Sequence, residues 1–262
     1  MRFSVLASGS AANSTFVEVG ETRILIDCGL SARQIGMRLD GLGVDVSSVD
    51  AILLTHEHSD NIAGIRVISN RLRIPVYTTA ETAAEMGDAF GVETIEPGRG
   101  FSLGSLMIHP FRVSHDAANP VGFSIEGGGF RFVQATDLGK VTPNVTYALR
   151  DAHALVLESN HDPELLRMCD YPWPLKQRIS SAHGHLSNDA MADALTACAH
   201  EGLAVVVLAH LSENSNTPNH AMAAGARALA ALNTTLTYGS VHVATPLFAV
   251  EEGLERMEQH SG

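Results

Sequence analysis

The chain opens with apolar runs cut by Gly, Ser and Asn, "RFSVLASGSAANSTFVEVGETRILIDCGLS" (2–31), the pattern of successive strands joined by tight turns. Residues 31–42 carry Ile35, Met37, Leu39 and Leu42 at roughly helical spacing, with Gly41 and Gly43 as stops, so a helix is expected there. "AILLT" (51–55) is a short continuous apolar run of the kind a buried strand shows. A helix over 62–72, a strand at "IPVYTT", a helix from about Ala80 and strands near "LMIHPFRV", "GFSIEGG" and "FRFVQAT" follow. After "HALVLES" the stretch "NHDPELLRMCDYPWPLKQRISSAHGH" reads as irregular and leads into a helix capped by Ser187 or Asn188, running to about Glu201. "LAVVVLAH" is another buried strand, and a helix over 219–232 precedes the last strands. Strand-rich segments interleaved with helices in both halves predict an α/β protein whose helices cover sheet faces.

A length of 262 residues suits one large domain over 1–262, and an apolar fraction of 45% with 18% charged residues describes an ordinary globular chain with a sizeable core. No apolar run approaches the roughly 20 residues needed to span a bilayer, and the first residues turn polar too soon for a signal peptide. A cytoplasmic location without a membrane partner is therefore expected. Cys28, Cys169 and Cys198 are widely spaced and form no CxxC pair, which suggests buried small hydrophobes rather than disulfides or a thiolate zinc site. The net charge of −12 argues against nucleic-acid binding through a broad basic surface and leaves room for local patches only.

Histidine is the unusual count. There are thirteen, several beside Asp, Glu, Ser or Asn, and this asks for a metal or acid–base explanation. In "THEHSDN" (55–61), His56, His58 and Asp60 alternate, so an extended chain would turn all three to one face. Two imidazoles and a carboxylate suit Zn, Mn or Fe, although this spacing alone fits a solvated loop equally well. His115, Asp137 and His210 each follow an apolar run. Any one of them alone reads as a strand cap; together with HxHxD they read as a ligand set.

On these residues the chain resembles the metallo-β-lactamase superfamily, whose HxHxDH signature is followed by separate His, Asp and His ligands; "LIDCG" matches its early Asp-x-Gly turn at Asp27. The resemblance implies an αββα sandwich of two mixed sheets flanked by helices, with two divalent metal ions (Zn or Mn) at one edge. His56, His58 and His115 would hold one ion, Asp60 and His210 the other, and Asp137 would bridge. Paired ions of this kind generate a hydroxide for hydrolysis. Asn61 stands where the signature has a histidine. Three readings stay open: a natural variant favouring Mn or Mg, a one-metal enzyme, or a substitution that disables the protein, and each puts occupancy of the second site in question.

Further stretches, "LASGSAANST", "SHDAANPVGF", "LESNHD", "YPWPLKQRI", "GHLSN" and "AHLSENSNTP", resemble the YycJ/WalJ-type hydrolases over nearly the whole chain. Ser215 departs by replacing the first of two expected asparagines. The family resemblance implies a metal-dependent phosphodiesterase, an exonuclease acting on DNA (rather than RNA) from 5′ ends. His185 precedes a helix whose first turn offers free N–H groups to a phosphate. By a further resemblance to the RNase Z endonucleases it would contact the scissile phosphate or protonate the leaving oxygen. In the mechanism expected here Asp60 would orient the attacking hydroxide or take its proton. Lys176 and Arg178 are candidate phosphate contacts, and Ser10 and Asn13 candidate wall residues of the site. Trp173, between Pro172 and Pro174, reads as a packing anchor in preference to a base-stacking surface. His161 is a candidate outer contact, while His109, His153, His183, His200, His220, His242 and His260 have no assigned role. Two alternatives remain: a hydrolase of small esters, lactones or thioesters, and a non-catalytic binding protein with a degraded metal site.

Overall fold

The computed structural model describes residues 1–251, so His260 lies outside the described part. Strands β1 (Arg2–Ala7), β2 (Ser14–Val19), β3 (Thr22–Ile26), β4 (Ala51–Leu53), β5 (Val76–Thr78) and β6 (Val92–Thr94) lie side by side in chain order. The second sheet repeats that plan with β7 (Phe101–Leu103), β8 (Leu106–Arg112), β9 (Val121–Gly127), β10 (Phe130–Ala135), β11 (Ala154–Glu158), β12 (Val205–Ala209) and β13 (Thr235–Tyr238). The short β14 (Phe248–Ala249) returns to the free edge of β1.

Each sheet starts as an antiparallel meander and ends in parallel strands: β3 to β6 in one, β10 to β13 in the other. Parallel pairs need crossovers, and the helices supply them. Around the first sheet run α1 (Ala32–Gly41), α2 (Ser59–Ile62), α3 (Ile65–Leu72) and α4 (Ala80–Glu85). The second sheet carries α5 (Pro143–Leu149), α6 (Pro163–Met168), α7 (Trp173–Ile179), α8 (Asn188–Cys198) and α9 (Pro218–Ala228).

Three apolar layers follow from the alternation. Phe3, Ile24, Phe123, Phe132 and Val207 fill the space between the sheets, and Phe3 meets Phe132 with ring centroids 5.0 Å apart. Ile35, Leu39, Ile65 and Ile68 seat α1 and α3 on the outer face of the first sheet. Val145, Leu149, Met191, Leu195 and Ala221 seat α5, α8 and α9 on the second. The result is the αββα sandwich of two mixed sheets.

Several sequence expectations need correction. The helix expected over 62–72 is two helices, α2 and α3, broken at Ala63 and Gly64. The stretch taken as irregular holds α6 and α7: Pro163 and Pro174 lie in first helical turns, where a missing N–H costs nothing. The helix that Ser187 caps stops at Cys198, and the one expected over 219–232 is Pro218–Ala228. Trp173 is 67% exposed, so it anchors no core. Cys28 and Cys198 are buried as expected, whereas Cys169 is only partly so.

Candidate metal centre

The C-terminal ends of the central strands converge on one edge of the sandwich, where an open α/β sheet leaves a crevice for ligands. His56 and His58 follow β4, His115 follows β8, Asp137 follows β10, Glu158 ends β11 and His210 follows β12. Asp27, Asp137 and His210 all leave their strands in the left-handed conformation, at φ 59°, 58° and 57°. Such backbone costs energy in non-glycine residues and persists where packing over-determines it.

Asp60 arrives differently from the way the alternation suggested. The chain is extended only to His58, and Asp60 and Asn61 sit in the helical turn α2. That turn is held by backbone bonds: Asn13 N–H donates to the Asp60 carbonyl and Cys28 N–H to the Asn61 carbonyl, both at 2.7 Å. Gly29 makes this docking possible, since a Cβ there would lie 1.6 Å from the Asp60 carbonyl oxygen.

Two groups of side chains form. In the first, His58 Nδ1 lies 3.1 Å from His56 Nε2 and 3.3 Å from His115 Nε2. A tetrahedral ion with nitrogen bonds of about 2.0–2.1 Å separates its ligand nitrogens by about 3.3 Å, so this donor set fits a divalent metal. The rings are aimed by bonds from their other nitrogens. His56 Nδ1 faces the Thr55 hydroxyl at 3.0 Å, and that hydroxyl donates to buried Asp27 at 2.9 Å. His115 Nδ1 donates to the Gly184 carbonyl at 3.1 Å. Both arrangements leave Nε2 as the free donor atom, the usual device behind ligand histidines. Burial, reinforced by His115 and His58 against the pull of Asp137, pushes the pKa of His56 down to about 4 and keeps it neutral.

The second group is Asp137, Glu158, His185 and His210. His210 Nε2 lies 3.5 Å from both Asp137 Oδ1 and Asp60 Oδ2, and Asp137 Oδ1 is 3.8 Å from His115 Nε2 on the other side. Burial would raise the Asp137 pKa, but His210, His56, His115 and His185 hold it below the carboxylate range. Burial would likewise lower His210, yet Asp137, Asp60 and Glu158 raise it well above its ordinary value. This half of the site favours a cation. Buried Asp137 Oδ2 and Asn61 Oδ1 have no hydrogen-bond partner, a costly condition that a metal would relieve. Asn61 Nδ2 is 3.2 Å from His56 Nε2.

The other expected residues divide. Asn13 Nδ2 donates to Asp60 Oδ2 at 2.9 Å, so Asn13 belongs to the site by contact. His185 Nδ1 donates to Glu158 Oε1 at 2.8 Å, and lies beside Asp137 Oδ1 at 3.7 Å. Arg178 is exposed and pairs with Asp116 at 2.6 Å, and Asp116 in turn lies 3.4 Å from His115. Lys176 is turned away to the Arg167 carbonyl, at 2.7 Å. Ser10 lines a separate groove of about 600 Å³ with Tyr171, Ser212 and Tyr238. His161 is buried beside the site segment, bridging in backbone to Ser187. Sequence reasoning missed Glu158, which is completely buried and also approaches His210 Nδ1 at 3.5 Å. Its signal was present: a carboxylate ending the apolar run "ALVLE", the same pattern that marks Asp137 and His210.

This sandwich and its paired His/Asp groups define a metal-dependent hydrolase of the metallo-β-lactamase superfamily that uses divalent ions. A model of the β-lactamase superfamily domain matches residues 22–211. The chain is 36% identical to the exodeoxyribonuclease YycJ of Bacillus anthracis over 226 residues, 82% of this chain and 84% of that protein. It is 35% identical to the exodeoxyribonuclease WalJ of Streptococcus pneumoniae over 223 residues, 82% and 83% of the two chains. The chain thus belongs to the YycJ/WalJ-type family. In structure it is similar to the metallo-β-lactamase fold protein YhfI of Bacillus subtilis, with a TM-score of 0.71 at 17% identity over 93% of this chain and 98% of the other.

Proposed function

We propose that this chain is a phosphodiesterase, an exonuclease that removes nucleotides from the 5′ ends of DNA. The observation that carries the reading is the pairing of His185 with Glu158 within the second group of ligand-type side chains. The alkoxide that leaves a phosphodiester needs a proton donor, and a histidine held by a carboxylate at the ligand cluster is placed to be one. The deoxyribonuclease names of the family relatives favour DNA.

His56, His58 and His115 would hold one ion, an imidazole set suited to zinc or manganese. Asp60 and His210 would hold the second, Asp137 would serve both, and the Asn61 amide oxygen would be a weaker ligand than a histidine in its place. When bound, such ions lower the pKa of water and neutralise charge on a phosphoryl oxygen.

The protein's own groups do the rest. Asp60, steadied by Asn13, orients the attacking water and accepts its proton. His185, its Nδ1–H held by Glu158, gives the proton it carries on Nε2 to the oxygen of the departing nucleotide as the P–O bond breaks. It stands just ahead of α8, whose N-terminal amides favour an anion, with Ser187 capping Ala190 N–H. Arg178 pairs with Asp116, the carboxylate beside His115, and so positions that carboxylate.

The test is degradation of 5′-phosphorylated DNA with manganese or zinc, by this chain and by Asn61→His side by side. Mononucleotides released progressively from the 5′ end support the reading. Release from the 3′ end overturns the polarity, digestion of RNA in preference overturns the substrate, and cleavage of small esters alone by the metal-loaded protein overturns the phosphodiesterase reading. Activity in the histidine form only would identify Asn61 as an impairing residue.

A further inference from the structure

Resting on the phosphodiesterase reading, we propose that the cleft between β8 and α5 is the track in which a single-stranded polynucleotide lies as it leaves the metal centre, with Arg112 on its phosphates and Tyr147 against a base. The cleft begins at the site itself. A cavity of about 430 Å³ is walled by His115, Ser114, His183 and Arg112. A second, of about 410 Å³, is walled by His109, Arg112, Arg131, Glu126 and Tyr147. The two share Arg112 and Asn144 as common wall and so lie next to each other, one at a ligand-type histidine and the other toward the outer edge of the second sheet.

The charge in this cleft is opposite in sign to that of the chain. Against a net charge of −12 overall, its walls carry two arginines and a single carboxylate, Glu126, which lies 3.8 Å from Arg131. Arg131 is partly occupied in holding the wall, donating to the Ser124 hydroxyl and the Ala148 carbonyl at 2.9 and 3.1 Å. Arg112 is exposed; among the described residues its guanidinium makes no hydrogen bond and no close ion pair, and the carboxylate that acts on it is that of Glu81, whose pKa it helps to lower. A guanidinium whose N–H groups are not taken up by a close carboxylate is a ready phosphate contact. Tyr147 is 72% exposed on α5, a large aromatic face with no packing duty. A positive groove combined with an aromatic platform is the general means of holding single strands without reading their sequence.

The dimensions suit a chain rather than a single nucleotide. From His115 back through Arg112 to His109 is six residues, at most about 20 Å of extended backbone, enough for several nucleotides beyond the reacting phosphate. Sequence-independent contacts of this type fit an enzyme that must advance along a strand of any composition.

The experiment measures binding of the metal-loaded protein to a fluorescent, hydrolysis-resistant phosphorothioate strand of about twelve nucleotides, and to the corresponding dinucleotide, across a salt series. The wild type is expected to bind the longer strand at least tenfold more tightly. Arg112→Glu is expected to lose about tenfold for the longer strand and less than twofold for the dinucleotide, and to reduce the salt slope by about one. Tyr147→Ala, fully tolerable to the fold at so exposed a position, is expected to lose severalfold for the longer strand alone. Circular dichroism checks both variants for folding.

If both variants bind the long strand like the wild type, the track lies elsewhere and the proposal falls; Trp173→Ala measured in parallel shows whether the strand crosses α7 instead. If the wild type itself does not prefer the longer strand, the track also falls. Hydrolysis of bis(p-nitrophenyl) phosphate by the wild type then separates the two readings: turnover leaves the phosphodiesterase standing without the track, and no turnover removes both.

Discussion

Glu158 and His185 meet through a 2.8 Å hydrogen bond at the metal centre, and Glu158 reaches that point from the last position of β11 with no exposed surface. A carboxylate so buried is stable only because it is fully used: His185 and His210 face one oxygen and Leu138 N–H donates to the other. The pair therefore fixes which nitrogen of His185 faces the substrate. Glu158→Gln keeps the shape and removes the charge. We expect kcat to fall about 10- to 100-fold, the range seen when partners of site histidines are lost, with KM changed less than threefold. Steady-state kinetics on a labelled strand checks this, and a raised KM with kcat unchanged would mean that Glu158 serves binding instead.

Asn61 is buried against His56 with its amide oxygen unpartnered. If the proposed second ion binds here, replacing Asn61 by histidine would add an imidazole to its ligands. Asn61→His is expected to tighten the weaker of the two metal equivalents by roughly tenfold or more, read by titration calorimetry and elemental analysis. Unchanged affinity would show that this position does not face an ion.

How legible the molecule was in sequence varied with the physics behind each feature. Ligand-type residues at strand ends stood out because an apolar run ending in His or Asp is a local pattern, and His56, His58, His115, Asp137 and His210 do converge. Strand alternation could not foresee the turn at Ser59, which depends on a distant glycine, Gly29, letting the chain pass close to Asp60. α6 and α7 were hidden because Pro163, Pro172 and Pro174 look like breakers unless their place at the helix start is known. Trp173 was misread for the same reason: flanking prolines suggested a pinned core residue, but they begin an exposed helix. Glu158 was legible in principle, since it obeys the strand-end rule, yet a single carboxylate gains meaning only when His185 is brought to it from elsewhere in the chain.

Outside the metal centre, His153 ties two elements together as a neutral ring, accepting the Arg131 backbone N–H on Nδ1 at 3.1 Å. Burial, then the neighbouring His200 and Arg131, lower its pKa below the ordinary value of 6.5. The unfolded chain therefore binds a proton more readily than the folded one. Stability from this group is complete above about pH 6.5 and is lost as pH falls through that value toward the lower folded pKa. In metal-free protein, the wild type should lose more melting temperature between pH 7.5 and 5 than His153→Gln, which retains an acceptor but does not titrate. Parallel pH curves for the two would contradict the assignment.

Metal removal should act on the fold as well as on activity. The three imidazoles of the first group converge within hydrogen-bonding distance, while Asp137, Glu158 and Asp60 crowd the second around His210. Without ions the carboxylates rely on His210 as their cation, which its raised pKa reflects. An ion present at about a thousand times its dissociation constant stabilises the native state by about 4 kcal/mol, so chelation should lower the melting temperature by several degrees. The loss should be smaller in His58→Ala, which has already weakened one ion. Differential scanning calorimetry with and without chelator makes the comparison. Equal shifts in both proteins would remove His58 from the ligand set, because a residue that holds no ion cannot reduce what chelation takes away.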